Sequence, residues 1–440
     1  MTVTIFALAT PAGRSGIAII RISGPAAGET LRTLIRRDLP APRMATLRKL
    51  YGDADVPIDD GLVLWFPGPA SFTGEDMVEL HLHGGAAVLA AMAETLAAQG
   101  LQPAEPGAFT RRAFDHGKLD LTEVEGLADL IAAETEAQRR QALRQLEGAL
   151  GDAVEAWRLS LLGALARIEA AIDFPEEDLP DGLVEGVDGA MRAVASEIAR
   201  MLDDAHRGER LREGLSVVIL GAPNAGKSSL LNALAGRDVA IVSDEPGTTR
   251  DVIELKLDLD GYPVLLADTA GLRESGNQIE AEGMRRALAR AEHADVRLIV
   301  IDGALWPAIP EAARAQIDAH AILVLNKADL LTEPVAALSG QQLMAVSALS
   351  GAGLADLLAA LKQRAAQLLA SGDQPVLTRL RHRVALEQCR QCLGRGLEIA
   401  PVELKAEELR LATRALGRIT GRVDVEDVLD RIVREFCIGK

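Results

Sequence analysis

Gly221-Ala-Pro-Asn-Ala-Gly-Lys-Ser228 decides how this chain is read. It follows the apolar run Ser216-Val-Val-Ile-Leu220 and precedes Ser229-Leu-Leu-Asn-Ala-Leu234, which has helical spacing. The pattern G-x-x-x-x-G-K-S between a strand and a helix is a phosphate-binding loop. Its glycines let backbone amides curl around phosphate oxygens, and the helix N-terminus adds a favourable field. Asn224, Ala225, Gly226, Lys227, Ser228 and Ser229 are therefore candidate nucleotide contacts. Lys227 is expected to act on the β- and γ-phosphates during catalysis, and Ser228 to ligate Mg²⁺.

Three later segments choose the base. Asp268-Thr269-Ala270-Gly271 follows the strand-like Val264-Leu-Leu-Ala267. Its carboxylate can hold the Mg²⁺ water shell, and Gly271 can offer an amide to the γ-phosphate. Asn326-Lys327-Ala328-Asp329 follows Ile322-Leu-Val-Leu325. A carboxylate at Asp329 can accept from guanine N1–H and N2–H₂ together, a donor pair that adenine lacks. Ser347-Ala348-Leu349, after Met344-Ala-Val346, fits a loop closing over the base edge. These elements in this order point to GTP and GDP. Gly247-Thr248-Thr249-Arg-Asp251 lies between the first two, and Thr248 or Thr249 can complete the Mg²⁺ shell when the γ-phosphate is present. Such a segment would order with GTP and be released on hydrolysis. Where Ras-like GTPases place a water-orienting Gln after D-x-x-G, this chain has Leu272, which cannot do that work. Arg273, Glu274, Glu280 and Glu282 are the nearby candidates.

Outward from this core, strands and helices alternate to about Leu369, as in a parallel α/β unit. Residues 1 to about 117 read as mixed α/β, with β-type runs Ile17–Ile22, Gly61–Phe66 and Met77–His83 and turn signals at Ser23-Gly-Pro25, Pro67-Gly-Pro69 and Pro106-Gly107. From Leu119 to about His206 the chain is rich in Ala, Leu, Glu and Arg, with Leu143, Leu146 and Leu150 as one helical stripe and a break at Asp173–Pro180. Helices return after 377. The expected plan is an N-terminal α+β domain (1–117) and a discontinuous helical domain (118–209 and 372–440). A Ras-like α/β domain (210–371) is expected to sit inside the helical one, since domain termini are often adjacent.

Bulk properties set limits on partners and compartment. The 440 residues are 48% hydrophobic and 25% charged, as in ordinary globular proteins, and suffice for about two to four domains. A net charge of −17 argues against general, charge-driven nucleic-acid binding, although a local basic patch can still meet RNA. Three cysteines, Cys389, Cys392 and Cys437, cannot form a disulfide framework. Cys389-Arg-Gln-Cys392 has no second ligand pair, so packing rather than zinc is expected there, and His81 and His83 likewise lack a third ligand nearby. The start has no signal-peptide pattern, and no apolar run of about 18 residues could span a membrane. A cytoplasmic protein without a membrane association is expected.

These motifs, with Ala9–Arg14, Arg21-Ile-Ser-Gly24, Ser71-Phe-Thr-Gly-Glu-Asp76, His83-Gly-Gly85, Lys118-Leu-Asp-Leu121, Ala171-Ile-Asp-Phe-Pro175, Ala240–Asp251 and the ending Phe436-Cys-Ile-Gly-Lys440, resemble the MnmE (TrmE) family of tRNA-modification GTPases over essentially the whole chain. The resemblance implies a homodimer whose nucleotide domains pair with K⁺ in the role of an arginine finger. It assigns K⁺ to Asn224, Ser243, Glu245 and Thr248, and Mg²⁺ to Ser228 and Thr249. Asp244, Pro246 and Gly247 complete that nucleotide-facing loop, which here reads Asp-Glu-Pro-Gly where the family has smaller apolar residues before the glycine. It also implies Glu280 as the water-positioning group, and an N-terminal domain binding formyl- or methylene-tetrahydrofolate through Arg21, Glu79 and Lys118. The tail with Cys437 and Lys440 would reach that folate region, with Cys437 either a nucleophile or a small buried residue. The implied function is modification of the tRNA wobble uridine (U34) at C5, adding carboxymethylaminomethyl or aminomethyl groups with the flavoprotein MnmG (GidA). The rival reading is a regulatory GTPase acting only as a binding switch. A membrane-remodelling GTPase would need a lipid-binding element, and none is visible.

Overall fold

A computed structural model describes residues 3–52, 55–173, 183–204, 206–241, 254–268, 292–309, 311–331, 338, 342–370, 377–399, 401–423, 426–434, 436 and 439. The chain divides into two compact units. One comprises Met1–Ala128, Gln145–Val194 and Gln391–Lys440, and the other Asp129–Arg144 and Ala195–Arg390.

The first unit opens with strands β1 (Ile5–Leu8), β2 (Ser15–Ser23), β3 (Thr46–Tyr51), β4 (Pro57–Phe66), β5 (Met77–Gly84) and β6 (Gln102–Pro103), in spatial order β3-β4-β5-β2-β1-β6. All pairs are antiparallel except β1 with β6. The period of two explains the layering. Ile20 and Ile22 of β2 and Val78 and Leu80 of β5 point into a core with Leu31 and Leu34 of helix α1 (Ala27–Ile35) and Met92 and Leu96 of α2 (Ala86–Ala98). The residues between them, Arg21 and Glu79, must then share the opposite face, and the ladder makes them direct cross-strand partners.

Helices α3 (Ala108–Asp115), α4 (Leu121–Ala132), α5 (Glu136–Leu146), α6 (Ala149–Asp173), α7 (Leu183–Leu202) and α8 (Arg207–Glu213) follow. The leucine stripe expected on one helix is split. Leu143 and Leu146 end α5, Leu150 begins α6, and Gly148 at φ 90° turns the chain between them. Only a glycine takes that left-handed conformation at no steric cost.

The second unit's sheet contains β7 (Leu215–Gly221), β8 (Glu254–Leu259), β9 (Tyr262–Asp268), β10 (Val296–Asp302), β11 (Ala321–Asn326) and β12 (Leu343–Ala345). The order is β12-β11-β10-β7-β9-β8, parallel apart from the β8–β9 hairpin. Helices α9 (Lys227–Ala235) and α10 (Leu354–Leu369) cover it, burying Leu230, Leu231, Leu234, Leu357 and Leu361 against Val217, Ile219, Leu298 and Val324. Strands buried on both faces read as continuous apolar runs, as these do.

Three helices complete the chain: α11 (Leu380–Glu398), α12 (Val402–Thr420) and α13 (Glu426–Arg434). Within the first unit, α12 lies along α6. Arg410 pairs with Glu169 at 2.8 Å, Arg422 with Glu155 at 3.2 Å, and Lys405 with Asp188 of α7 at 2.6 Å. Helices from either side of the α/β segment in sequence thus pack on one another, which makes the helical domain discontinuous and the Ras-like domain an insert. Leu429, Ile432, Val433 and Phe436 close a further core with Leu121 and Val124. Cys389 and Cys392 are both buried on α11 and neither is in a disulfide, and burial pushes the Cys392 thiol up despite the Arg395 charge beside it. Among the described residues no group of three or more His, Cys, Asp or Glu side chains could hold a metal. No helix of theirs is long and apolar enough to cross a membrane.

Candidate functional site

The C-terminal ends of parallel strands β7, β10 and β11 lie side by side, and the loops that leave them form one site. Such crevices, at the carboxyl ends of strands, are where open α/β sheets take ligands. β7 delivers Gly221, which approaches β10 so closely that a side chain there would collide with the Val300 carbonyl. Asn224 follows at φ 64° and Gly226 at φ 89°, two left-handed positions that curl the loop before α9 begins at Lys227. A side chain on Gly226 would strike Asn326 Nδ2. Each glycine of the motif is thus required by a close approach.

Lys227 is 9% exposed, and its ammonium donates to the carbonyls of Gly221 (2.9 Å) and Ala222 (3.1 Å). A cation held inside the loop by its own carbonyls is set to meet phosphate oxygens. Ser228 is the next helix residue, where its hydroxyl can ligate a cation beside those phosphates. Asn224 in the loop and Ser229 on α9 are exposed.

Asn326 joins the site's two halves. Its buried Nδ2 donates to the Ala225 carbonyl at 2.9 Å, and its Oδ1 accepts from the Ala348 amide at 3.2 Å. One side chain therefore ties the phosphate loop to the Ser347-Ala-Leu loop. Ser347, fully buried, donates from Oγ to Asp329 Oδ1 at 2.5 Å and accepts from the Ser350 amide at 3.2 Å. The Asp329 carboxylate is thereby aimed rather than free to rotate, as reading two parallel donors requires. The Ala328 amide donates to Val346 O, and Leu349 stands 89% exposed beside them. Lys327, at φ 61°, pairs with Asp302. Sequence reading passed over Asp302 and Gly303; the only signal for them was their place at the end of a strand neighbouring β11.

Asp268 ends β9 with its backbone beside Ile219 of β7, so the strand delivers it next to the phosphate loop. Ser243, Asp244, Glu245, Pro246, Gly247, Thr248, Thr249, Thr269, Ala270, Gly271, Glu280, Cys437 and Lys440 lie outside the described residues.

On the other face of the N-terminal sheet, Arg21 donates to Glu79 Oε1 from Nη2 (2.8 Å) and Nε (3.1 Å). Its guanidinium lies over the rings of Phe72 (5.6 Å) and Phe109 (5.8 Å), and Nη1 donates to the Gly439 carbonyl at 3.3 Å. Two strands, one loop, one helix and the C-terminal tail thus meet at one guanidinium. His81 places Nε2 3.6 Å from Glu79 Oε2, while His83 bonds Asp59 at 2.7 Å. Among the described residues neither histidine belongs to a group that could hold a metal. Lys118 is not in this group. It is exposed and donates to the Pro69 carbonyl at 3.1 Å, on the loop that carries Phe72.

Comparison with known proteins covers the whole chain. A family model described as the MnmE helical domain matches residues 121–437, and one described as the GTP-binding protein TrmE N-terminus matches 4–118. A protein of Paramagnetospirillum magneticum named tRNA modification GTPase MnmE is 55% identical, with 100% of both chains covered. One of the same name from Parvibaculum lavamentivorans is 56% identical, covering 99% of this chain and 100% of its own. A crystal structure of an Aquifex aeolicus Era variant bound to GDP·AlF4⁻ is 26% identical over 40% of this chain and 65% of that one, with a TM-score of 0.26. So partial an overlap carries no weight beside the full-length relatives.

Proposed function

The chain belongs to the MnmE (TrmE) family of tRNA-modification GTPases, and from that premise we propose that its GTPase activity drives modification of tRNA wobble uridine 34 at C5. The group added is carboxymethylaminomethyl or aminomethyl, made together with MnmG (GidA) in the cytoplasm. The protein works as a homodimer, with domains 1–117, 118–209 with 372–440, and 210–371.

Lys227 and the loop amides bind the β- and γ-phosphates, while Asp329, aimed by Ser347, selects guanine. Ser228 and Thr249 would hold Mg²⁺, and Asn224 with Ser243, Glu245 and Thr248 would hold K⁺. These ions, when bound, supply positive charge against the phosphates. The exposed, left-handed Asn224 fits that assignment, because its side chain is open to an ion arriving from outside the loop. Glu280 positions the attacking water where Leu272 cannot.

The observation that carries the tRNA-modifying reading over a pure switch is the Arg21–Glu79 pair, joined at Arg21 by the tail's Gly439 carbonyl. The Glu79 carboxylate, aimed by the Arg21 guanidinium, can accept from the amino group of a pterin. Formyl- or methylene-tetrahydrofolate, when bound, supplies the one-carbon unit. Nucleoside analysis of tRNA tests this. In cells lacking the protein, wobble uridine should lose its C5 group, and wild-type protein should restore it where Arg21→Ala does not. Fully modified tRNA in the deletion strain would leave the binding-switch reading standing instead.

A further inference from the structure

Asp302 belongs to no nucleotide motif, yet its carboxylate sits at the base end of the second sheet. β10 ends at Asp302 and β11 at Asn326, and the two are direct partners in the parallel ladder. The turn after β10 presses on that neighbour, since any side chain on Gly303 would crowd the carbonyls of Asn326 and Lys327. Asp302 uses both oxygens there. Oδ1 accepts from the Ala304 amide at 2.9 Å, and Oδ2 from Lys327 Nζ at 2.7 Å.

The pair is more than a surface contact. The Asp302 side chain is 13% exposed and that of Lys327 34%, so water screens their attraction weakly. Burial alone would push the Asp302 carboxyl up. The Lys327 hydrogen bond, the Ala304 amide and the Lys327 charge outweigh it and hold the group below the usual carboxylate range. Lys327 is also a non-glycine residue at φ 61°, so its backbone is held in a conformation that L-residues seldom adopt.

We propose that Asp302 is a positioning residue for the guanine nucleotide, acting by fixing the side chain of Lys327, the residue that lies between Asn326 and Asp329 in the chain. A lysine stem has large rotamer freedom, and an ammonium without a partner would sample many positions before binding. With Asp302 in place, the residue flanked by the two base-site anchors is already ordered when the nucleotide arrives. The ordering cost then falls on folding rather than on binding. Because Asp302 touches the nucleotide only through Lys327, its removal should act on binding and release more than on the chemical step.

The experiment is stopped-flow release of fluorescently labelled GDP from the full-length protein, with steady-state GTP hydrolysis alongside. Asp302→Asn keeps an oxygen for the Ala304 amide but puts an NH₂, which cannot accept, where the charged oxygen took the Lys327 Nζ bond. It should speed GDP release about tenfold, which corresponds to ~1.4 kcal/mol. It should also raise KM for GTP more than it lowers kcat. Asp302→Glu, which retains the charge, should recover part of the affinity. In a Lys327→Ala background, Asp302→Asn should change nothing further, because the lysine it acts through is gone. Release at the unaltered rate from Asp302→Asn would overturn the proposal. So would a double variant that releases GDP faster than Lys327→Ala alone, since Asp302 would then be acting on the sheet rather than on the lysine.

Discussion

The nucleotide end of the second unit and the Arg21 face of the N-terminal sheet are both built from charged groups held in place, but over very different distances along the chain. Lys227 reaches a carbonyl 6 residues away, and Ser347 an aspartate 18 residues away. Arg21 finds Glu79 58 residues away and Gly439 418 residues away. The first site is written in short strings, each shaped largely by its own turn chemistry and joined by one long-range bond, Asn326 to Ala225. The second exists only when strand register and the C-terminal tail are both correct. A slip of one residue in β2 would turn Arg21 into the core and Ile20 or Ile22 out of it. One region should therefore fail by loss of a single contact, and the other by loss of an assembly.

Lys227→Ala gives the largest expected effect and breaks the comparison on one side only. The loop loses its cation while Gly221, Gly226 and Asn326 keep its backbone shape. Single-turnover GTP hydrolysis should fall by about 10²–10³-fold, as removal of one preorganised charge from a transferring phosphoryl group does. Binding of a reduced folate to the same variant should be unaltered. Loss of both activities together would mean that the two regions are not independent.

Arg21→Ala should act in the opposite sense and less strongly. It removes the donor to Glu79 and the anchor for the Gly439 carbonyl, so Glu79 loses its orientation and the tail one tether. Losing a charge-assisted hydrogen bond of ~1.5–3 kcal/mol predicts about 10–100-fold weaker binding of a reduced folate, measured by calorimetry on the full-length protein. GTP turnover should stay within about twofold, on the order of the scatter between independent sites.

This asymmetry also explains what could be read in the sequence. Strands β2, β4, β5, β7, β9, β11 and β12 and helix α9 announce themselves by periodicity and by the loop motif. Gly221 and Gly226 are legible because close backbone approaches admit no substitute. The short β1 and β6 are not, because a four-residue and a two-residue strand carry too little pattern. The break at Gly148 was hidden by leucines whose spacing continues across two helices. Asp302 escaped because its partner is a neighbour in the sheet, not in the chain. Arg21, Glu79 and Lys118 could be proposed together only by family resemblance. Residue chemistry did not reveal that Arg21 and Glu79 face each other while Lys118 meets Pro69 instead.

The same distinction between assembled and local contacts should hold, at smaller scale, among the helices. Lys405 and Arg410 sit on one helix, and each reaches a carboxylate on another helix. Lys405 is 8% exposed, so Lys405→Met removes the 2.6 Å partner of Asp188 from a poorly hydrated place. Arg192, 3.5 Å from the same carboxylate, can recover only part of that. An unfolding loss of ~1–2 kcal/mol is expected for this variant, within the cost of leaving a partly buried acceptor short of a donor. Arg410 pairs with Glu169 and with Glu407, but its side chain is about half exposed and so are theirs. Water competes for all three groups, and holding the long side chains in one geometry has an entropic cost that offsets the attraction. Arg410→Ala should therefore leave the urea midpoint of the helical transition unchanged within error, at low salt and at high. A clear downward shift at low salt that vanished at high salt would show that the α6–α12 charges act as a network.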